Sequence, residues 1–292
     1  MASLRDLKRQ IGSIKNIAKV TEALQTVSAV KFRKAENRVK KARPYADNVE
    51  QMMRDVARGA TGSSPLLAGR EVRRVAVAAV TADRGLAGGF NAQVLRRTQR
   101  LRGELGGEVV QVATGRKAAA FFRFRRVELA EVYTGFSDNP TYEKAREIGQ
   151  GLTRLFDAEE ADEVYLVYNR FESALTQRPI VTRLLPVASE DDGEQGDREP
   201  ASFDSSYFEY VPDAERVLNK LVPRYVETMV WQALLESAAG EHGARMTAMK
   251  NATDNANDLA RDLTLRMNKA RQAQITQEIL EIVGGAEALA AS

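Results

Sequence analysis

Residues 4–27, L-R-D-L-K-R-Q-I-G-S-I-K-N-I-A-K-V-T-E-A-L-Q-T-V, place apolar side chains at Leu4, Leu7, Ile11, Ile14, Ile17, Val20, Leu24 and Val27. The steps between them run 3, 4, 3, 3, 3, 4 and 3, a heptad seam with an overwound, stammer-like middle. Residues 1–43 contain no proline and a single glycine, Gly12, so nothing interrupts a long helix before Pro44. Tyr45–Arg58 continues the helical pattern until Gly59 and the Gly62-Ser63-Ser64-Pro65 break.

The other end of the chain repeats this design. After the capping pair Pro212-Asp213, residues 213–283 read as one very long helix with a kink at Pro223, and Gly284-Gly285 is expected to stop it. From Leu235 a seam passes through Ala239, His242, Met246, Met249, Thr253, Ala256, Ala260, Leu263, Met267, Ala270 and Gln274 in unbroken alternation of 4 and 3. One helix cannot bury its own stripe. Two seams at opposite ends of one chain are satisfied by pairing with each other, and antiparallel pairing follows if the middle folds as a domain between them. The small residues and methionines of the second seam permit close approach and repacking, as a shaft requires.

The middle of the chain changes period. Val72–Val80 is a near-continuous apolar run of the kind a buried strand shows. Helices are predicted over 91–103, 116–122 and 141–157, and strands over 108–113, 127–134 and 163–169, with an edge strand at 181–187. Alternating strands and helices give a central, Rossmann-like α/β domain with a largely parallel sheet. The predicted organisation is therefore a coiled-coil helix over 1–58, an α/β domain over 70–208 and a second coiled-coil helix over 209–289. Residues 189–202 carry six acids and no large apolar side chain, and read as a solvated loop.

Composition removes several function classes. The chain has 292 residues, 43 Lys and Arg against 40 Asp and Glu, one His, one Trp and no Cys. Disulfide scaffolds, cysteine nucleophiles, thiolate metal sites and multi-histidine metal sites are excluded. Met1–Gln10 has basic residues without a following apolar run, so no signal peptide is expected and the cytosol is the expected compartment. Charge is sorted along the chain, with 14 basic and 6 acidic residues in the first sixty.

Three stretches invite a chemical reading. Thr81–Asn91, T-A-D-R-G-L-A-G-G-F-N, lies between a strand and a helix, where phosphate cradles sit, but its glycines fit neither G-x-G-x-x-G nor G-x-x-x-x-G-K-[ST]. A structural turn is the plainer reading there and at Gly115-Arg116-Lys117. His242, the single histidine, sits on the seam without a nucleophile at an informative spacing, and no metal-ligand spacing is visible. Lys31–Arg43 holds seven basic residues and one acid, which suits nucleic acid, a solvated helix face or an acidic protein surface. At the far end, Ile275, Ile279, Ile282 and Val283 form an apolar stripe beside Arg271, Gln272, Thr276 and Glu278, overshooting any partner within the chain.

The segments I-G-S-I-K-N-I-A-K-V-T-E-A-L-Q-T-V-S-A-V-K, D-R-G-L-A-G-G-F-N, R-M-T-A-M-K-N-A-T-D-N-A and N-K-A-R-Q-A-Q-I-T-Q-E-I-L-E-I-V-G-G-A-E-A-L together resemble the gamma-subunit family of F-type ATP synthases, over essentially the whole chain. The resemblance implies a central rotor: a coiled coil inside a ring of three alpha and three beta subunits, and a foot bound to the membrane c ring and the epsilon subunit. It implies a non-catalytic subunit that couples proton-driven rotation to ATP synthesis or its reverse on beta, and regulates ATPase activity and proton flow. No cofactor is then expected on this chain, Mg-ATP and ADP belonging to the alpha and beta subunits; no nucleic acid is expected as partner. The implied location is peripheral, through the complex, on the cytoplasmic face of the inner membrane of a bacterial-type enzyme without redox control.

Carried over residue by residue, the resemblance makes Leu24 and Thr26 rotor–stator contacts at positions where the family has methionines. Arg245, Gln272, Thr276 and Glu278 match its polar contacts to the gripping belt and catch loop. Lys31, Arg33 and Lys34, from the basic run, would face acidic lever loops of beta. Tyr207, Glu209 and Tyr210 would be foot contacts with the c ring. Two rivals remain distinguishable: a coiled-coil nucleic-acid binder using Lys31–Arg43, whose binding would fall steeply with salt, and a stand-alone nucleotide enzyme using Thr81–Asn91.

Overall fold

The structure, a computed structural model, describes residues 4–59, 69–187 and 214–290. In chain order these form α1 (Leu4–Gly59), β1 (Arg74–Val80), α2 (Phe90–Glu104), β2 (Glu108–Thr114), α3 (Arg116–Phe124), β3 (Leu129–Tyr133), α4 (Tyr142–Asp157), β4 (Glu163–Phe171), β5 (Gln177–Leu185) and α5 (Ala214–Ala290). The chain falls into two compact units, one of Met1–Val27 with Met246–Ser292 and one of Ser28–Arg245.

In the first unit the two chain ends pair. Leu7, Ile11, Ala18 and Thr21 of α1 are buried, as are Met249, Ala256 and Ala260 of α5, and the Thr21 and Thr253 hydroxyls lie 2.7 Å apart. The covered positions of α1 are Leu4, Leu7, Ile11, Ile14, Ala18, Thr21, Gln25 and Ser28, a strict alternation of 3 and 4. The expected stammer is absent. Ile17, Val20 and Val27, assigned to the seam by their hydrophobicity, are more than half exposed. The reason is steric: Ala18 and Thr21 let the helices approach closely, and the larger β-branched residues are left on the outer surface.

The second unit is built on a five-stranded sheet of order β3-β2-β1-β4-β5, parallel except for β5, which runs antiparallel to β4 at the edge. Val75–Val80 are all buried because β1 is central and covered on both faces. The first strand starts at Arg74 rather than at the exposed Val72. Val94, Leu95 and Leu101 of α2 and Ala118, Ala119 and Phe122 of α3 pack on one face. Ile148, Leu152 and Phe156 of α4, with Val222, Val226 and Val230 of α5 and Met53 of α1, pack on the other. The order reverses direction between β1 and β4, the place where such sheets open a crevice at their carboxyl ends.

Two helix expectations change. Over residues 222–245 α5 is buried on nearly every side rather than along one seam, as a helix inside a core must be. Gly284-Gly285 does not stop α5, which continues to Ala290. Each glycine costs a helix only about 1 kcal/mol against alanine, and seventy preceding residues of continuous helix carry it through. Pro44 and Pro223 are likewise accommodated inside α1 and α5.

Candidate functional site

The loop after β1 is organised by its own side chains. The Thr81 hydroxyl donates to the Thr114 carbonyl (3.0 Å) and accepts from the Ala118 amide (2.9 Å); the Asn91 side-chain oxygen accepts from the Ala82 amide (2.8 Å). Gly115 adopts φ +93°, and a Cβ there would lie 2.1 Å from the Thr81 carbonyl oxygen, so only glycine fits. Leu86 also has positive φ, at 62°, and is exposed at the loop tip.

Asp83 sits where a bound anion would. Its carboxylate accepts the amides of Arg116 (3.0 Å, the first residue of α3), Gly135 (2.9 Å) and Ser137 (3.0 Å), while its own amide donates to the Ser137 hydroxyl (2.8 Å). Burial pushes the Asp83 pKa up, but these backbone donors outweigh it and hold the carboxyl below its usual 3.8. Thus the α3 N-terminus, which in nucleotide-binding folds faces a phosphate, here faces a carboxylate of the chain itself.

Arg245 closes the loop from α5. It is 9% exposed; its guanidinium donates to the Gly85 carbonyl (3.1 Å), to the Glu241 carboxylate (2.6 Å) and to Nδ1 of His242 (3.4 Å). Since arginine can only donate, Nδ1 accepts and the imidazole proton lies on Nε2, which donates to the Asp138 carbonyl at 3.1 Å. Burial lowers the His242 pKa below 6.5, against the pull of Asp138 and Glu241, so the ring is neutral at pH 7. Lys31 pairs with the Asp138 carboxylate. The i, i+4 spacing of Glu241 and Arg245 was a readable signal of this pair; Asp138, a hundred residues away, gave none.

The basic run of α1 divides into two groups. Lys31, Arg38 and Arg43 turn toward the α/β domain: Arg38 donates to the Asn139 side-chain oxygen and the Pro140 carbonyl and stacks on Trp231, and Arg43 pairs with buried Glu236 at 2.9 Å. Arg33 and Lys34 are exposed. In the chain-end unit, Leu24 is half-buried and Thr26 exposed, its hydroxyl donating to the Glu22 carbonyl. Gln272, Thr276 and Glu278 are exposed near the end of α5, where Gln274 donates to Glu278 at 2.9 Å. Beside them Ile275, Ile279, Leu280, Ile282 and Val283 are exposed together. Tyr207, Glu209 and Tyr210 lie outside the described residues, as does the acidic stretch 189–202. The structure therefore collects Lys31 and Arg245 around the Asp83 loop, and leaves Gln272, Thr276 and Glu278 together on one helix end.

Among the described residues no group of three or more acids or histidines could hold a metal ion. Paired terminal helices and an α/β domain in which the α3 N-terminus receives the chain's own Asp83 define the class: a long-helix protein with a Rossmann-like central domain. A family model described as ATP synthase matches residues 3–289. The ATP synthase gamma chain of Rubrobacter xylanophilus is 69% identical over 292 residues, the full length of both chains, and that of Pelotomaculum thermopropionicum is 48% identical over 99% of this chain and 100% of its own. A solved structure of the Euglena gracilis mitochondrial ATP synthase, OSCP/F1/c-ring (TM-score 0.69, 18% identity, 99% of this chain and 95% of that one), shares the fold. So does the central stalk of the Tetrahymena thermophila enzyme (TM-score 0.60, 21% identity, 80% and 99%). The chain belongs to the ATP synthase gamma-chain family.

Proposed function

We propose that the chain turns as the central shaft of a proton-translocating ATP synthase. It would transmit rotation of a membrane c ring to the nucleotide sites of three beta subunits, alternating with three alpha subunits, with an epsilon subunit on the foot. The observation that carries this reading is the uncovered end of α5: five large apolar residues, Ile275 to Val283, stand exposed beside a few polar groups and need a sleeve supplied by other chains. A mostly apolar bearing with sparse hydrogen-bonding catches resists rotation little and still registers angle. Gln272, Thr276 and Glu278 are the catches in this reading, with Leu24 and Thr26 at the belt. Arg33 and Lys34 present charge to acidic loops of beta. Arg245, buried within this chain, and Lys31 act on the contact indirectly, by fixing the Gly85 loop and Asp138.

The chain itself would hold no cofactor: the seat at the α3 N-terminus receives Asp83, and a nucleotide phosphate there would meet a second negative charge. Membrane association would come through the complex, on the cytoplasmic face of the inner membrane; no helix of the described residues is long and apolar enough to cross a bilayer. Tyr207, Glu209 and Tyr210 are proposed for the c-ring contact.

Co-expression with candidate alpha and beta subunits, followed by native mass measurement, tests the reading. A complex of three alpha, three beta and one copy of this chain, with ATPase activity absent from the chain alone, is the expected result. Free chain beside separately assembled partners would overturn it.

A further inference from the structure

Two buried hydroxyls near the carboxyl end of the sheet have no hydrogen-bond partner among the described residues. Thr114, the last residue of β2, is 2% exposed, and Ser237, inside α5, is 7% exposed. The side-chain oxygens of both are sealed from solvent and unpaired. Unpaired buried hydroxyls are rare, because each gives up on folding a hydrogen bond that water supplied.

Neighbouring hydroxyls are treated differently. Beside Thr114, the Thr81 hydroxyl is used twice, donating to the Thr114 carbonyl and accepting from the Ala118 amide. Along α5, Thr228, Thr253, Thr264 and Thr276 each turn the hydroxyl back onto the carbonyl four residues earlier, at 2.7 to 2.9 Å. The carbonyl of Ala233 stands in that position for Ser237, and Ser237 does not use it.

The two unpaired residues line one cavity. It measures about 10 Å³, the least space that admits one water molecule. Ser137 and Glu241 share its polar wall with Thr114 and Ser237, and Phe136 and Leu234 are among the apolar groups that close it.

We infer that this cavity is a binding site for a single water molecule, which bridges the Thr114 hydroxyl of β2 to the Ser237 hydroxyl of α5. Each hydroxyl is both donor and acceptor, so the water donates to one and accepts from the other. Ser137 and Glu241 add acceptor oxygens on the same wall. The volume excludes an organic ligand. A metal cation would find one carboxylate, already held by Arg245 at 2.6 Å, and too few oxygens to replace its hydration. Open parallel sheets take their ligands in a crevice at the carboxyl ends of the strands. Here Leu234, Ser237 and Glu241 of α5 lie over the ends of β1 and β2, and what they leave is the size of one water. A bridging water is nearly as good as a direct hydrogen bond, so it ties α5 to the sheet. Every group involved belongs to the α/β unit, and the inference does not rest on the rotor reading.

Two measurements on the full chain test it. The first is the thermal midpoint of Thr114→Val, which keeps the side-chain shape and removes the hydroxyl. With water in the site the substitution deletes a hydrogen bond, and the midpoint should fall by about 2 °C. In a dry cavity the same change relieves an unpaired buried hydroxyl and the midpoint rises. The second is a crystal structure of the unmodified chain at a resolution that shows ordered water, which stands whether or not Thr114→Val folds. One water within about 3.2 Å of both hydroxyls is expected there. A midpoint that does not fall, no density in the cavity, or Ser237 turned onto the Ala233 carbonyl would each overturn the inference.

Discussion

From Val75 to Val80 no side chain of β1 is more than 2% exposed, whereas Ile17, Val20 and Val27 of the paired chain ends are each more than half exposed. Both regions are rich in β-branched residues. In the α/β unit that apolar area is consumed internally, by helices on both faces of the sheet. In the chain-end unit small residues, Ala18, Thr21, Ala256 and Ala260, share the interior with Leu7, Ile11 and Met249, while Ile17, Val20 and Val27 remain outside. Residue type alone thus does not say where a side chain lies; the closeness of the two backbones does. The contrast also separates the two units: one covers its β-branched strand within itself, and the other leaves large apolar side chains on its surface.

Charge reversal at Arg245 tests this comparison with the largest effect. Arg245→Glu removes the partner of Glu241, itself almost fully buried at hydrogen-bond distance, and adds a second acid there. A loss of roughly 3–5 kcal/mol is expected, read as a large fall in the denaturation midpoint of the full chain. Wild-type stability would mean the Arg245–Glu241–His242 cluster does not hold the loop.

The next effect in size concerns Asp83. Because its folded pKa lies below 3.8, the stability it contributes is complete above that value and is lost as pH falls through the folded pKa. Asp83→Asn keeps one acceptor oxygen but removes the charge. The acid limb of a far-ultraviolet circular dichroism titration should therefore be shallower in the variant, with lower stability at neutral pH. An unchanged acid limb would remove Asp83 from that role.

Thr21→Val probes the seam. It deletes the 2.7 Å contact to Thr253 while preserving shape, and Thr253 keeps its bond to the Met249 carbonyl (2.9 Å). About 1 kcal/mol or less should be lost, a shift of a few degrees in the melting of the chain-end helices.

Glu278→Arg should change the stability of the chain by less than about 0.5 kcal/mol, since Glu278 is exposed and bonded only to Gln274 among the described residues. Its effect belongs to the assembled enzyme: weaker coupling between proton flow and ATP turnover, measured as ATPase activity without matching proton pumping. Equal losses of stability and coupling would blur the distinction between the two units.

Much of this was legible before any coordinates. The strands and helices of the α/β unit follow the predicted spans within a few residues, because a buried parallel strand needs a continuous apolar run and its crossover helix a period of 3.6. The long terminal helices follow from the absence of breakers. The seam register was misread between Ile14 and Val27, where hydrophobicity pointed outward and the contact was made by an alanine and a threonine. Helix α5 was read as one-sided through Leu235 and His242, where the core encloses it. The glycine-rich loop could be set aside as a phosphate cradle on its spacing, but not the reason: Asp83 reaches Arg116, Gly135 and Ser137, three segments that only the sheet brings together.

The sequence by itself determined the periodicities, and with them the kinds of element, their order and the need for two chain-end helices to find a partner. It also carried the family resemblance, since long local motifs survive in a linear chain. Only the tertiary structure decided which apolar residues are covered and which basic residues are spent on Glu236 and Asp138. Those outcomes depend on distances between residues a hundred or more positions apart, and backbone approach, burial and charge pairing at such distances leave no periodic trace in the order of the amino acids.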